Sequence, residues 1–152
     1  MQPRDAIGLD LGGTDLKAGL VSGRGEVTHF LRLPARAGEC ADAPLEVIAG
    51  AVADLRRVAE GPVAGIGLGC PGVIDPASGA LVGRTPHLPH WDALPLRALL
   101  TERLGASLVI ENDANLAALA EHRVGAARGA RLSITITVGT GIGCGVIIEG
   151  RV

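Results

Sequence analysis

Two adjacent glycines sit in Asp10-Leu-Gly-Gly-Thr-Asp-Leu-Lys17, at one turn between two apolar runs, and this octet constrains the chain more than any other part of it. Ala6 to Leu9 is short and apolar, while Leu16, Ala18 and Leu20 alternate with Lys17, Gly19 and Val21. The pattern predicts a β-hairpin that reverses at the glycines. Gly12 and Gly13 can take positive φ and carry no Cβ, which would let backbone N–H groups approach a polyphosphate. Thr14 adds a hydroxyl, Lys17 a mobile positive charge, and Asp10 a carboxylate able to hold Mg²⁺ through water. The chain has a single lysine, and it stands here. The spacing fits neither the P-loop nor the strand-to-helix opening of a dinucleotide fingerprint, and an ordinary hairpin with a solvated lysine would use the same glycines.

A second unit of the same kind lies near the other end. Ser133 to Val138 alternates polar and β-branched residues, gives way to Gly139-Thr-Gly-Ile-Gly-Cys-Gly145, and resumes as the apolar Val146-Ile-Ile148. Two strand–glycine–strand units sharing Gly/Thr chemistry suit a protein whose two halves each hold phosphates from one side.

Between them, strands and helices alternate. Gly23 to Glu26 turns into a strand over Val27 to Leu33, and Pro34 to Pro44 reads as a loop. Leu45, Ile48, Val52, Leu55 and Ala59 recur at helical spacing until Gly61-Pro62. Val63 to Leu68 is an apolar strand, Gly69 to His90 a proline-interrupted loop, and Leu96 to Leu104 a helix closed by Gly105. Leu108 to Ile110 is a short strand, and Ala114 to Ala127 an alanine-rich helix ending near Gly125 or Gly129. The order β-β-β-α-β-α-β-α and then β-β predicts an α/β fold, a mixed sheet with helices on its faces.

Asp113 follows a strand and precedes a helix, at the carboxyl end where α/β sheets bind ligands. Phosphoryl transfer needs an attacking hydroxyl that is aimed and relieved of its proton, and a carboxylate in hydrogen-bond reach does both. Asp113 equally suits the N-cap of the helix beginning at Ala114.

Asp10-x-Gly-Gly-Thr-x-x-Lys17, Gly69-Cys-Pro-Gly-Val-Ile-Asp75, Glu111-Asn-Asp-Ala-Asn115 with Glu121, and Val138-Gly-Thr-Gly-Ile-Gly-Cys-Gly145 resemble, in that order, the signatures of the ROK family of bacterial sugar kinases and sugar-responsive repressors. The resemblance spans nearly the whole chain and is that of the N-terminal half of a glucokinase-like sugar kinase. It implies the actin-like ATPase (ribonuclease H-like) fold, in which two related α/β domains close over a sugar and ATP. On that pattern residues 1–130 form the small N-terminal domain and residues 131–152 the first hairpin of a truncated second domain, and the chain alone should be inactive. The implied reaction is ATP-dependent phosphorylation of a hexose hydroxyl, with glucose the best single guess. Asp113 would be the base and a sugar contact, Asn112 a sugar ligand, and Gly72 and Glu121 neighbours of the sugar. Gly12, Gly13, Thr14 and Lys17 would form the first phosphate clamp, and Gly139, Thr140 and Gly141 the second. Mg²⁺ would ride on the nucleotide with help from Asp10, and the full-length protein would be a homo-oligomer, a dimer.

From their residue types alone, Pro71-Gly72 also suits a plain turn and Glu121 a solvated helix position. The family commonly reads Asn-Leu-Pro-Gly-Trp where this chain has His87-Leu-Pro-His-Trp91, so an imidazole replaces an amide ligand and the sugar is open. A sugar-sensing regulator is the other functional class, but it would carry a helix-turn-helix ahead of the first strand, which here starts at about residue 6. A non-catalytic sugar-binding fragment is a third.

Composition narrows the setting. With 47% hydrophobic and 20% charged residues and a net charge of −2, nothing supports nucleic-acid binding. No apolar run approaches the ~18 residues of a membrane span, and Met1-Gln-Pro-Arg-Asp lacks the apolar stretch of a signal peptide, so a cytoplasmic protein is expected. Cys40, Cys70 and Cys144 give neither a disulfide framework nor a C-x-x-C site, and His29, His90 and His122 lack metal-ligand spacing, so no resident metal is expected.

Overall fold

The computed structural model describes residues 4–139 and 141–152. It contains β1 (Ala6–Leu11), β2 (Asp15–Val21), β3 (Val27–Pro34), α1 (Asp42–Val58), β4 (Ile66–Cys70), β5 (Val73–Ile74), β6 (Leu81–Val82), α2 (Leu96–Leu104), β7 (Val109–Asn112), α3 (Asp113–Val124), β8 (Leu132–Val138) and β9 (Ile142–Ile148). The chain falls into two compact units, one ending at Ile110 and the other beginning at Glu111.

The first unit is built on a sheet in the order β3-β2-β1-β4-β7. β1 pairs antiparallel with β2 and parallel with β4, so the sheet is mixed, as the alternation of elements predicts. Alternation along β1 and β2 sends Ile7, Leu9, Leu11, Leu16, Ala18 and Leu20 to one face, where all are buried with Ile66, Leu68 and Cys70 of β4. The helical spacing of Leu45, Ile48, Val52 and Leu55 turns one stripe of α1 into the same core. Each such leucine or isoleucine removed from water stabilises the unit by about 1.5–3 kcal/mol. The opposite sheet face carries Gly8, Gly19 and Gly67 side by side, then Asp10 beside Lys17.

Several expected boundaries move, for physical reasons. α1 begins at Asp42, so Pro44 lies inside its first turn, where a missing N–H costs no helical hydrogen bond. The strand expected at Val63–Leu68 is Ile66–Cys70, because β4 takes its register from β1, with Ile7 opposite Ile66. The expected loop from Gly69 to His90 contains the small hairpin β5–β6, in which Val73 faces Val82 and Ile74 faces Leu81. Two-residue strands carry too little periodicity to be seen in sequence. Gly105 ends α2 in the left-handed conformation, φ 58°, as expected, and Gly125 ends α3.

In the second unit β8 and β9 form a two-stranded antiparallel sheet in which Val138 faces Ile142 across the turn. α3 packs on its inner face. Cβ atoms on Gly143 and Gly145 would come within 2.8 Å and 2.6 Å of Ala114 and Ala118 atoms, so these two glycines are dictated by helix approach.

Candidate functional site

Each unit brings together part of the expected set. In the first, register puts Asp10 directly opposite Lys17, and their side chains form an ion pair with Nζ 2.9 Å from Oδ2. Both side chains are about half exposed. Lys17 also faces Arg32 on β3, whose guanidinium donates from Nε (3.0 Å) and Nη2 (2.5 Å) to Asp15 Oδ2. Arg32 is a second cation at this turn, which the sequence reading did not single out; only the β2–β3 register reveals it.

The turn differs from its expected form. Neither Gly12 nor Gly13 has positive φ. Gly12 N–H donates to Asp15 O at 2.8 Å and so closes the hairpin, whereas among the described residues Gly13 N–H and Thr14 N–H donate to no backbone carbonyl. Glycine is needed at 13 for another reason. A Cβ there would sit 3.1 Å from His87 O and 3.3 Å from His87 Cβ, because the loop carrying His87 leans on the turn. That loop is anchored just after His87. Leu88 and Trp91 are buried, and Trp91 Nε1 donates to Ala41 O at 2.8 Å. The structure therefore places Gly13 and His87, far apart in sequence, against each other. Gly72 does adopt positive φ, 106°, and a Cβ there would meet Leu81 Cδ1 at 2.7 Å, so turn geometry and packing both demand glycine.

In the second unit the N-cap of α3 is Asn112, not Asp113. Asn112 Oδ1 accepts from Ala114 N (3.0 Å) and Asn115 N (3.1 Å), the ordinary way of satisfying the first amides of a helix. Asp113 is the first helical residue and exposed, with Oδ1 accepting from Ala114 N at 2.8 Å. Glu111, half-buried, accepts from Asn112 N (2.8 Å) and from Asn115 Nδ2 (3.0 Å), bracing the residue before Asp113 on both sides. The sequence reading gave Glu111 and Asn115 no individual role; their i, i+4 spacing was the signal. Glu121 lies two turns along. Its Oε2 accepts from Ala126 N at 2.8 Å, tying down the chain that leaves α3.

At the β8–β9 turn, Gly139 N–H donates to Gly141 O at 2.9 Å. Among the described residues a Cβ on Gly139 or Gly141 would meet nothing within 4 Å, so packing among them does not explain glycine at either position. Thr140, expected in the second clamp, lies outside the described residues. Among the described residues no group of three or more His, Cys, Asp or Glu is placed to hold a metal ion, and no helix is long and apolar enough to cross a membrane.

The ROK family pattern matches residues 6–152. A glucokinase of Thermotoga maritima is 38% identical over 144 residues, covering 95% of this chain and 44% of that protein. An N-acetyl-D-glucosamine kinase of Vibrio vulnificus is likewise 38% identical, over 149 residues, covering 95% of this chain and 46% of that protein. Among solved structures, the ROK glucokinase of Streptomyces griseus in complex with glucose and AMPPNP superposes with a TM-score of 0.87 at 33% identity, over 97% of this chain and 45% of that one. The chain thus spans less than half the length of these relatives. At this likeness the backbone has the α/β, actin-like ATPase fold that the motifs imply.

Proposed function

The chain belongs to the ROK family, and from that premise we propose that the complete protein transfers the γ-phosphoryl group of ATP to a hydroxyl of a hexose, with glucose as the best single candidate. The observation that carries this reading is the Asp10–Lys17 pair at a turn whose Gly13 and Thr14 N–H groups are unspent on backbone carbonyls. A half-exposed ammonium held by one carboxylate oxygen can swing to a phosphate, and unspent N–H groups at a tight turn suit an anion. Gly139, Thr140 and Gly141 would supply the other side of the clamp, where glycine allows close approach.

Asp113 would take the proton of the attacking hydroxyl as its oxygen bonds to the γ-phosphorus and the bond to the β–γ bridging oxygen breaks, releasing ADP. Asn112 would fix the segment from which Asp113 projects and meet a neighbouring hydroxyl. Gly72, His87 and Glu121 would border the sugar, with His87 in contact with the first clamp through Gly13. Mg²⁺, when bound, offsets phosphate charge. Asp10, half exposed at the first glycine turn, is the carboxylate that would hold it through water. We place the activity in the cytoplasm and in a homodimer, with no nucleic-acid or membrane partner. The hexose itself is the finer question, since the relatives include enzymes named for glucose and for N-acetyl-D-glucosamine.

Lys17→Ala in the full-length protein tests the assignment. It should raise KM for ATP or lower kcat by at least about tenfold, roughly 1.4 kcal/mol of lost transition-state binding. The Kd for glucose and the Tm should stay near wild type. Unchanged KM, kcat, Kd and Tm would remove the phosphate role.

A further inference from the structure

Three stretches that lie far apart in the sequence meet at one loop of the first unit, and both meetings are at a glycine. Buried Thr85 approaches Gly72, with its Cβ and Cγ2 each 3.6 Å from where a Cβ on that glycine would sit. His87 approaches Gly13, with its O, Cβ and Cα at 3.1, 3.3 and 3.4 Å from the corresponding point. The loop thus bears on the first glycine turn and on the Pro71-Gly72 turn together.

The two partners in the Gly13–His87 contact are not equally fixed. The turn is held by Gly12 N–H on Asp15 O and by Ala35 N–H on Thr14 O, both at 2.8 Å. Among the described residues no hydrogen bond holds His87 itself; the nearest ties are Leu88 N–H on Thr85 O at 3.2 Å and Trp91 N–H on Leu88 O at 3.0 Å. Packing is what sets the place of His87, and Gly13 is part of the surface it packs on.

Alanine at position 13 isolates this contact. Gly13 has no positive φ, so alanine meets no left-handed strain there, and it keeps the N–H that a phosphate would use. Its one new carbon would lie nearer to His87 than the ~3.5–4.0 Å of an ordinary van der Waals contact, so one partner must yield by a few tenths of an ångström. The partner without hydrogen bonds is the one that moves.

We propose that Gly13 is a positioning residue for the hexose: by lacking a Cβ it lets the His87 loop seat on the phosphate turn, so that sugar and phosphoryl donor are held in register through one contact. This rests on the phosphoryl-transfer reading above, and it gives the second glycine of the turn a duty to the acceptor, separate from the duty of Lys17 to the donor.

In the full-length protein Gly13→Ala should raise the Kd for hexose about tenfold, since a misplacement of ~1 Å can cost about 10²-fold and a smaller one is forced here. The probe is whichever of glucose and N-acetyl-D-glucosamine the wild type binds. The Kd for AMPPNP should stay near wild type, and Lys17→Ala should do the reverse. His87→Gly removes one contacting atom and frees the loop backbone, so on that background Gly13→Ala should no longer raise the hexose Kd. If Gly13→Ala alone does not fold, the double variant should restore a cooperative melt, and its failure to do so overturns the proposal. Loss of AMPPNP affinity with hexose affinity kept, or an equal hexose effect with and without His87→Gly, overturns the proposal while the kinase reading stands. A wild-type protein that binds neither hexose nor AMPPNP overturns the kinase reading and the proposal with it.

Discussion

Asn112 and Asp113 stand next to each other at the start of α3 and divide two jobs that one residue could have carried. Asn112 satisfies the helix amides, which leaves Asp113 exposed one residue later. This division makes the proposed base testable without confusion with stability. In the full-length protein Asp113→Asn should lower kcat by about 10²–10⁴-fold, the range for losing general-base help. The Tm should fall by little, since the cap belongs to Asn112. Near-normal kcat would reduce Asp113 to a first-turn carboxylate interacting with the helix dipole. The same scale shows why glycine is a poor guide to its own purpose. Gly13 answers to the backbone of His87, Gly72 to its positive φ and Leu81, and Gly145 to α3.

At the scale of elements, the β5–β6 hairpin illustrates a small structure held by one side chain. Asp75 Oδ2 accepts from the Ser78 hydroxyl and from Ser78 N at 2.8 Å, closing the turn between the two short strands. The Ser78 hydroxyl first, then its backbone N–H, hold the Asp75 carboxyl below its ordinary 3.8. A carboxyl depressed on folding contributes stability that is fully present above the unfolded value and is lost as pH falls through the folded one. Ser78→Ala should therefore lower Tm at neutral pH, and the gap from wild type should shrink as pH drops below 3.8. Melting curves from pH 7 down to about 2.5 check this. A gap that ignores pH would mean the hydroxyl acts by packing alone. Trp91 plays the parallel part for the next stretch of loop, with its ring buried and its Nε1 on Ala41 O.

At the scale of the molecule, the two units differ sharply in what they bury. The first closes α1, α2 and one face of a five-stranded sheet around a continuous core that runs from Ile7 to Ile110. Among its described residues the second buries two alanines and one isoleucine as its apolar core and exposes the aliphatic face of its hairpin. A segment ending at Ile110 should fold cooperatively by itself, because fully buried leucines contribute about 2 kcal/mol each and are plentiful there. Residues 111–152 alone should show no cooperative transition, being near the size below which an unaided core fails. Circular dichroism melts of the two fragments decide it; a sharp transition in the shorter one would refute this account.

Local patterning determined much of this protein. Period-2 alternation set the long strands of the sheet, 3.6-residue spacing set α1, and the glycine octet with its lone lysine set the first hairpin, because each of these depends on neighbours within a few residues. The four motifs, taken in order, also carried the family. What only tertiary structure decided depends on distance through space: the register that slid β4 to Ile66, the pairing of two-residue β5 and β6, the contact of Gly13 with His87, and the fact that β8 and β9 face α3 with their small residues. Alternation shows that a strand has two faces, but which face meets the core is fixed by the element that packs against it.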